Sequence, residues 1–257
     1  MNKIAQDLTD NLSLQELKQA LQDTMHEVRE FNRIVKANAE MLTRQLRIEE
    51  DEALHLSAEN SRNIRNYAVS ILETAQMLSA RLDLIDLETN PDIFTNEQKI
   101  PLSVFGKFDK ARKMLRIKAR DKRLDIEIIG ESYTKTDLYP VFDIVPFLLL
   151  ENAIKYSPRE TKITVTFSER GNFIDVTIDS TGPLVKDFEI NRLVEKGFRG
   201  ECARALGISG TGFGLHFAKY VCDLNEILLE IAPSSSSYSV NNVPHAPFKI
   251  TMRIPRR

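Results

Sequence analysis

All ten glycines and all ten prolines of this 257-residue chain lie at or beyond Pro91. An even spread of those twenty residues would place about seven of them in residues 1–90. The two strongest helix breakers are missing from that stretch, so it is predicted to be long helix. Hydrophobic spacing agrees. Leu17, Leu21, Thr24, Val28, Phe31, Val35 and Leu42 fall on a heptad-like seam interrupted by Asn38, and Ile64, Ala68, Ile71, Ala75, Leu78, Leu82 and Ile85 alternate steps of four and three. The acidic run Glu49-Glu50-Asp51-Glu52 between them is the expected turn. Two antiparallel helices of this kind leave a stripe that one hairpin cannot cover. A second copy would complete a four-helix bundle, so a homodimer through the helical hairpin is expected. The break near Asn90-Pro91 divides the chain into residues 1–92 and 93–257.

Composition narrows the function. A formal net charge of -2 gives no broad basic field, so nucleic acid is not an expected partner. The longest nearly apolar run, Val141 to Leu150, contains Asp143 and Pro146 and is far shorter than the roughly 20 residues of a membrane span. The first residues, MNKIAQDLTD, are polar and do not read as a signal peptide. Cys202 and Cys222 have no metal-type spacing and read as reduced thiols, and the four histidines are scattered. A cytoplasmic location is the expectation.

Beyond Pro91 the pattern changes. Thr95 to Pro101 reads as a linker, Leu102 to Asp121 as a basic-faced helix, and Leu124 to Ile129 as a strand. Val141 to Tyr156 is again helical, with Pro146 marking a kink or a late start. Strands Lys162 to Ser168 and Phe173 to Asp179 are joined by the turn Glu169-Arg170-Gly171-Asn172. Thr181 to Ser209 is long, irregular and polar, which suits a mobile lid. A helix over 212–223, a strand Ile227 to Ile231, a serine-rich loop at Ser234 to Ser237 and a last strand Phe248 to Ile254 complete the chain. The second half is therefore predicted to be α+β, with helices on one face of a mixed sheet.

Two segments carry chemistry. In GISGTGFGLHFAKYV, Gly207 to Val221, Gly210, Gly212 and Gly214 alternate with other residues just before a helix. Backbone without Cβ can approach a ligand there, and the helix start offers unpaired N–H groups and partial positive charge to a phosphate. In LLLENAIKYSP, one helical turn gathers Glu151, Asn152, Lys155 and Tyr156. A carboxamide oxygen can hold Mg²⁺, a lysine can meet a phosphate, and an aromatic ring can lie against a base.

In order and spacing, LLLENAIKYSP, two strands ending in STGPLV, a lid with GFRGECARA, and GTGFGLHFAKYV resemble the ATP-binding catalytic domain of sensor histidine kinases, within the gyrase/Hsp90/histidine kinase/MutL superfamily. The resemblance covers roughly Leu102 to the C-terminus, where FKITMRIP looks like that domain's closing strand. It implies a helical hairpin, a four-helix bundle as a dimer, followed by an α+β sandwich with a mixed sheet. It also implies Mg²⁺ on Asn152, a nucleotide site lined by Lys155 and Tyr156, and phosphates embraced by Gly210, Thr211, Gly212, Gly214 and Leu215. Ser180 and Gly182 fall in the box that meets adenine. Phe198 and Arg199 fall in the lid, the arginine reaching toward the γ-phosphate.

MHEVREFNRIVKANAEML resembles the phosphoacceptor segment of that family, with His26 at the accepting position. The heptad supplies a separate check. If Leu21 and Val28 are a positions, His26 is an f position facing solvent, where a separate nucleotide domain can reach it. The resemblance implies attack of the His26 imidazole on the γ-phosphorus of Mg·ATP, with Glu27 taking a proton from the other ring nitrogen. A response-regulator aspartate would receive the phosphoryl group next.

Four positions depart from the family pattern: Ser180 where the family has Asp, Leu148 where it often has Asn, Phe31 in place of a proline, and Glu30 in place of Thr or Asn. The first two weaken the expected grip on ATP, and the last argues against a phosphatase role. The competing reading is a non-catalytic histidine phosphotransfer or docking protein with a degenerate nucleotide domain. A clamp-like ATPase, the third, leaves His26 unexplained. The chain reads either as the cytoplasmic end of a longer sensor or as a small kinase signalled by a sensory partner.

Overall fold

The computed structural model describes residues 28, 32–42, 63–71, 74–75, 78, 82, 98–208, 210 and 212–256. The chain divides into two compact units, 1–82 and 83–257. His26, Glu27, the acidic turn 49–52, the Asn90-Pro91 break and Thr211 lie outside the described residues.

In the first unit, residues 32–42 (α1) and 63–71 (α2) are helical, and so are 74–75, 78 and 82. Along α1, Ile34, Val35, Asn38, Ala39 and Leu42 are half-buried, while Arg33, Lys36 and Glu40 are exposed, the stripe expected of an amphipathic helix. Asn38, the polar interruption of the predicted seam, pins the two helices together. Its Nδ2 donates to Ser70 Oγ at 3.2 Å and to the Ile34 carbonyl at 2.9 Å. The second predicted seam splits in two: Ile64, Ile71 and Leu78 are half-buried, whereas Ala68, Ala75 and Leu82 are exposed.

In the second unit a six-stranded mixed sheet has the order β2 (Asp125–Ile129), β4 (Lys162–Arg170), β5 (Phe173–Pro183), β8 (Val243–Pro255) and β6 (Leu228–Pro233), with β7 (Tyr238–Val240) also paired to β8. Only β2 and β4 run parallel; the remaining pairs are antiparallel. Strict alternation gives the sheet its inner face. Val165, Ile178 and Ile250 stand in register, as do Phe167, Val176 and Met252, and all six are buried. Thr166, Thr177 and Thr251 fall on the other face.

Three helices cover the inner face: α3 (Val104–Met114), α5 (Ile144–Tyr156) and α7 (Gly214–Leu224). Phe105 and Phe108 of α3 meet Phe167 edge-on, with ring centroids 5.3 and 5.6 Å apart. Every residue of α5 from Ile144 to Leu150 is buried, which is why this segment reads as an unbroken apolar run. Pro146 is the third residue of α5, inside the first turn, where no backbone donor is needed. It produces a late start after a 310 turn at Pro140–Asp143.

Elsewhere the local reading needs correction. The predicted linker ends in β1 (Ile100–Ser103), which pairs with β3 (Lys135–Leu138) in a separate two-stranded sheet. The predicted helix Leu102 to Asp121 starts only after Ser103, whose Oγ accepts from Gly106 N, and it breaks at the buried Leu115 into α3 and α4 (Arg116–Asp121). The β5–β8 ladder runs on to Pro183 and His245, beyond the strand ends expected from local pattern. Asn241 and Asn242 have φ of 51° and 63° and turn β7 into β8, a hairpin signal that the serine-rich stretch masked. The lid segment is ordered too, with a 310 stretch at Asp187–Val194 and the short helix α6 (Glu201–Ala205).

Candidate nucleotide site

The site is assembled from the end of α5, the end of β5, the lid and the glycine loop before α7. Asn152, Lys155 and Tyr156 occupy the last turns of α5 and are half-buried. That helix end is clasped by Lys122, whose Nζ donates to the carbonyls of Ile154, Lys155 and Ser157 at 2.9, 2.7 and 3.1 Å. A cation on the last carbonyls satisfies groups that the helix leaves open. Burial, followed by the nearby Arg159, lowers the Lys122 pKa. Ser157 Oγ donates to the Thr181 carbonyl at 2.9 Å and ties the same helix end to β5.

Glu151, grouped with Asn152 in the sequence, pairs instead with Lys118 at 2.6 Å. That leaves Asn152 as the amide of this cluster, and it makes no side-chain hydrogen bond among the described residues. Lys155 Nζ lies 5.2 Å from the Tyr156 ring centroid and reaches the glycine loop. A Cβ on Gly210 would stand 1.8 Å from that nitrogen. Lysine and glycine loop, over fifty positions apart in sequence, are thus in contact.

Gly212 has a stricter requirement. Its φ is +76°, and a Cβ there would come within 2.7 Å of Gly197 C and Phe198 O. The glycine loop is seated on the lid. Arg199 adds a second attachment: its guanidinium donates to the carbonyls of Ile208, Ala203 and Gly210 at 2.6, 3.2 and 3.3 Å. The arginine expected to reach toward a γ-phosphate is engaged with backbone here. Phe198 stacks with the Arg192 guanidinium, 4.3 Å from its ring centroid.

Helix α7 begins at Gly214, with Leu215 next. Its N-cap, Phe213, supplies no side-chain acceptor, and its first turn holds no acidic residue. The first N–H groups therefore have no capping side chain, the arrangement that favours an anion. His216 Nδ1 meets the Val194 carbonyl at 2.9 Å, so the imidazole donates there and joins α7 to the lid. At the other end, buried Asn225 accepts from Tyr139 N and donates to the Val221 carbonyl, both at 2.8 Å. This holds the end of α7 against the 310 turn that precedes α5.

Ser180 and Gly182 lie in β5 opposite Phe248 and Ala246. The Ser180 hydroxyl donates to the Phe248 carbonyl at 3.3 Å, and Asp179 pairs with Lys249 at 3.4 Å. Of the residues singled out in the sequence, the fold brings Lys155, Phe198, Arg199, Gly210 and Gly212 into one connected set. Lys122 and Ser157 were missed, since they act through long-range bonds to backbone that no local motif announces.

A helix-backed mixed sheet carrying a glycine loop, an uncapped helix start and a lid defines a class of nucleotide-binding fold. Residues 147–256 match the family model described as histidine kinase-, DNA gyrase B-, and HSP90-like ATPase. Among curated proteins, the sensor-like histidine kinase SenX3 of Mycobacterium bovis is 28% identical over 178 residues, covering 66% of this chain and 42% of that protein. Sensor histidine kinase YkoH of Bacillus subtilis is 25% identical over 238 residues, covering 90% of this chain and 47% of that protein. The catalytic domain of histidine kinase ThkA shares the fold with a TM-score of 0.50 at 15% identity, covering 62% of this chain and 96% of that one. The chain is thus similar in sequence to sensor histidine kinases, and its second unit matches the ATPase family model over residues 147–256. It spans less than half the length of the two curated relatives named. Among the described residues, no helix is long and apolar enough to cross a membrane.

Proposed function

We propose that this chain is a two-component protein-histidine kinase that phosphorylates His26 from Mg·ATP and passes the phosphoryl group to an aspartate on a response-regulator receiver domain. The observation that carries the reading is the contact of Lys155 with Gly210, beside an uncapped helix start at Gly214 and within a matched ATPase domain. An ammonium, glycine backbone and free N–H groups converge there, as a polyphosphate requires. Tyr156 offers a ring face to the base, and the lone pairs of Ser180 offer a neutral acceptor to its amine. Asn152, with an amide free of side-chain bonds among the described residues, fits Mg²⁺ through its oxygen. When bound, that ion would neutralise phosphate charge. Phe198 and Arg199 belong to the lid, and Arg199 must release backbone carbonyls before it meets a phosphate.

The chemistry on the helical unit is nucleophilic. The neutral His26 imidazole forms a P–N bond as the bond from γ-phosphorus to the leaving ADP oxygen breaks, and Glu27 takes up the ring proton. The domains are residues 1–92 for dimerisation and phosphoacceptance and 93–257 for catalysis, in a cytoplasmic setting. A second copy is expected on the exposed stripe of Ala68, Ala75 and Leu82, whose spacing of seven is that of one helical seam.

The test is incubation with Mg²⁺ and γ-labelled ATP beside His26→Gln and Asn152→Ala, followed by acid and alkali treatment. Acid-labile, alkali-stable label that needs both residues is expected, with nucleotide binding kept in His26→Gln and lost in Asn152→Ala. Absence of both label and nucleotide binding in the wild type would overturn the kinase reading in favour of a phosphotransfer scaffold.

A further inference from the structure

Glu189 is a carboxylate at 2% exposure inside the lid. A buried carboxylate is costly unless its oxygens are hydrogen-bonded. Here both are satisfied by backbone donors, Lys186 N to Oε2 at 3.0 Å and Glu201 N to Oε1 at 2.8 Å. One donor lies three positions before Glu189 and the other twelve after it. A single side chain therefore closes the base of the loop that carries Phe198 and Arg199. Gly200 lies directly against that side chain: a Cβ there would stand 3.4 Å from the Glu189 carboxylate, an ordinary van der Waals contact. A parallel ion pair, Lys186 to Glu201 at 2.5 Å, spans the same gap at the surface.

What the closed base supports is the glycine loop. Gly212 rests on Gly197 and Phe198, and Arg199 holds the carbonyls of Ile208 and Gly210. The connection thus runs from Glu189 through residues 200–201 to the lid turn, and from there to the loop that precedes α7. We infer that Glu189 is a positioning residue for nucleotide binding: it holds the lid turn on which the glycine loop is seated. The inference rests on the proposed nucleotide role of that loop. Glutamine cannot replace Glu189 in this duty. Its amide offers one acceptor and one donor group to two converging N–H donors, so one hydrogen bond is lost and a buried donor is left facing another.

The experiment compares the full chain with Glu189→Gln by thermal melting, MgATP titration, phosphorylation kinetics and amide hydrogen exchange over residues 197–212. The expected result is faster exchange in that segment, a MgATP Kd and KM raised about tenfold, and a largely retained kcat at saturating ATP. Glu189→Asp keeps the charge but is one methylene short of bridging both donors, and it serves if the glutamine variant does not fold. A lowered Tm with unchanged Kd and unchanged exchange at 197–212 would overturn the inference, since the residue would then be structural only. If the wild type binds no MgATP, the nucleotide reading fails separately. Faster exchange in Glu189→Gln would still support the lid-positioning role, and unchanged exchange would sink it.

Discussion

Gly212 and Gly210 look interchangeable in GTGFG, yet the fold asks different things of them. A Cβ at Gly212 meets fixed backbone at 2.7 Å, whereas one at Gly210 meets the end of the flexible Lys155 side chain. Gly212→Ala is therefore expected to cost about 1–3 kcal/mol of lid packing, read as a lower Tm and weaker nucleotide binding; a variant with the wild-type melt and affinity would refute the contact. The two thiols differ as sharply. Cys222 is fully buried with its Sγ 4.0 Å from Met252 Sδ, and burial pushes its pKa up to about 12. Cys202 is half-buried in α6, and its pKa is raised as well, first by burial. Brief alkylation of the native protein at mild alkaline pH should label Cys202 slowly and Cys222 only after unfolding, as peptide mass spectrometry would register.

Between elements, much of the unit is joined by single side chains reaching backbone or hydroxyl groups. Glu169 at the end of β4 accepts from Ser132 Oγ at 2.7 Å and Thr134 Oγ1 at 2.9 Å, tying the segment before β3 to the sheet. These bonds, Ser132 first, hold its carboxyl below the ordinary glutamate range. A depressed acid contributes stability that is complete above its unfolded value, about pH 4.3, and is lost as pH falls through the lower folded value. The Tm advantage of the wild type over Glu169→Gln should therefore be present near neutrality and shrink below about pH 4. An advantage independent of pH would refute the carboxylate's role. The elements themselves were legible to different degrees. Alternation disclosed β4, β5 and the C-terminal part of β8, because one face of the sheet is buried and the other wet. β1 was hidden, since its four residues are stabilised by pairing with β3 rather than by any pattern of their own. β7 was hidden behind serines, although Asn241-Asn242 between valines carried the turn signal.

For the whole molecule, the exposed stripe on the second helical stretch is where association is tested. Ala75→Glu would place a carboxylate at its centre, and the proposed dimer is expected to shift to monomer in sedimentation, with the proposed His26 phosphorylation falling if the bundle supports it. A variant that stays dimeric would move the interface elsewhere. By itself the sequence determined what depends on local order: the helices at 32–42 and 63–71, alternation in the strands, and the succession of asparagine, lysine and glycine segments that matches the ATPase family model. Only tertiary structure decided the rest. The sheet order and the contact of Lys155 with Gly210 join residues distant along the chain, while the Arg199 bonds to backbone and the Glu189 closure choose partners within the lid and the adjoining glycine loop. Such contacts follow from how buried polar groups find partners once the core has packed, and neither periodicity nor motif encodes which partner each one meets.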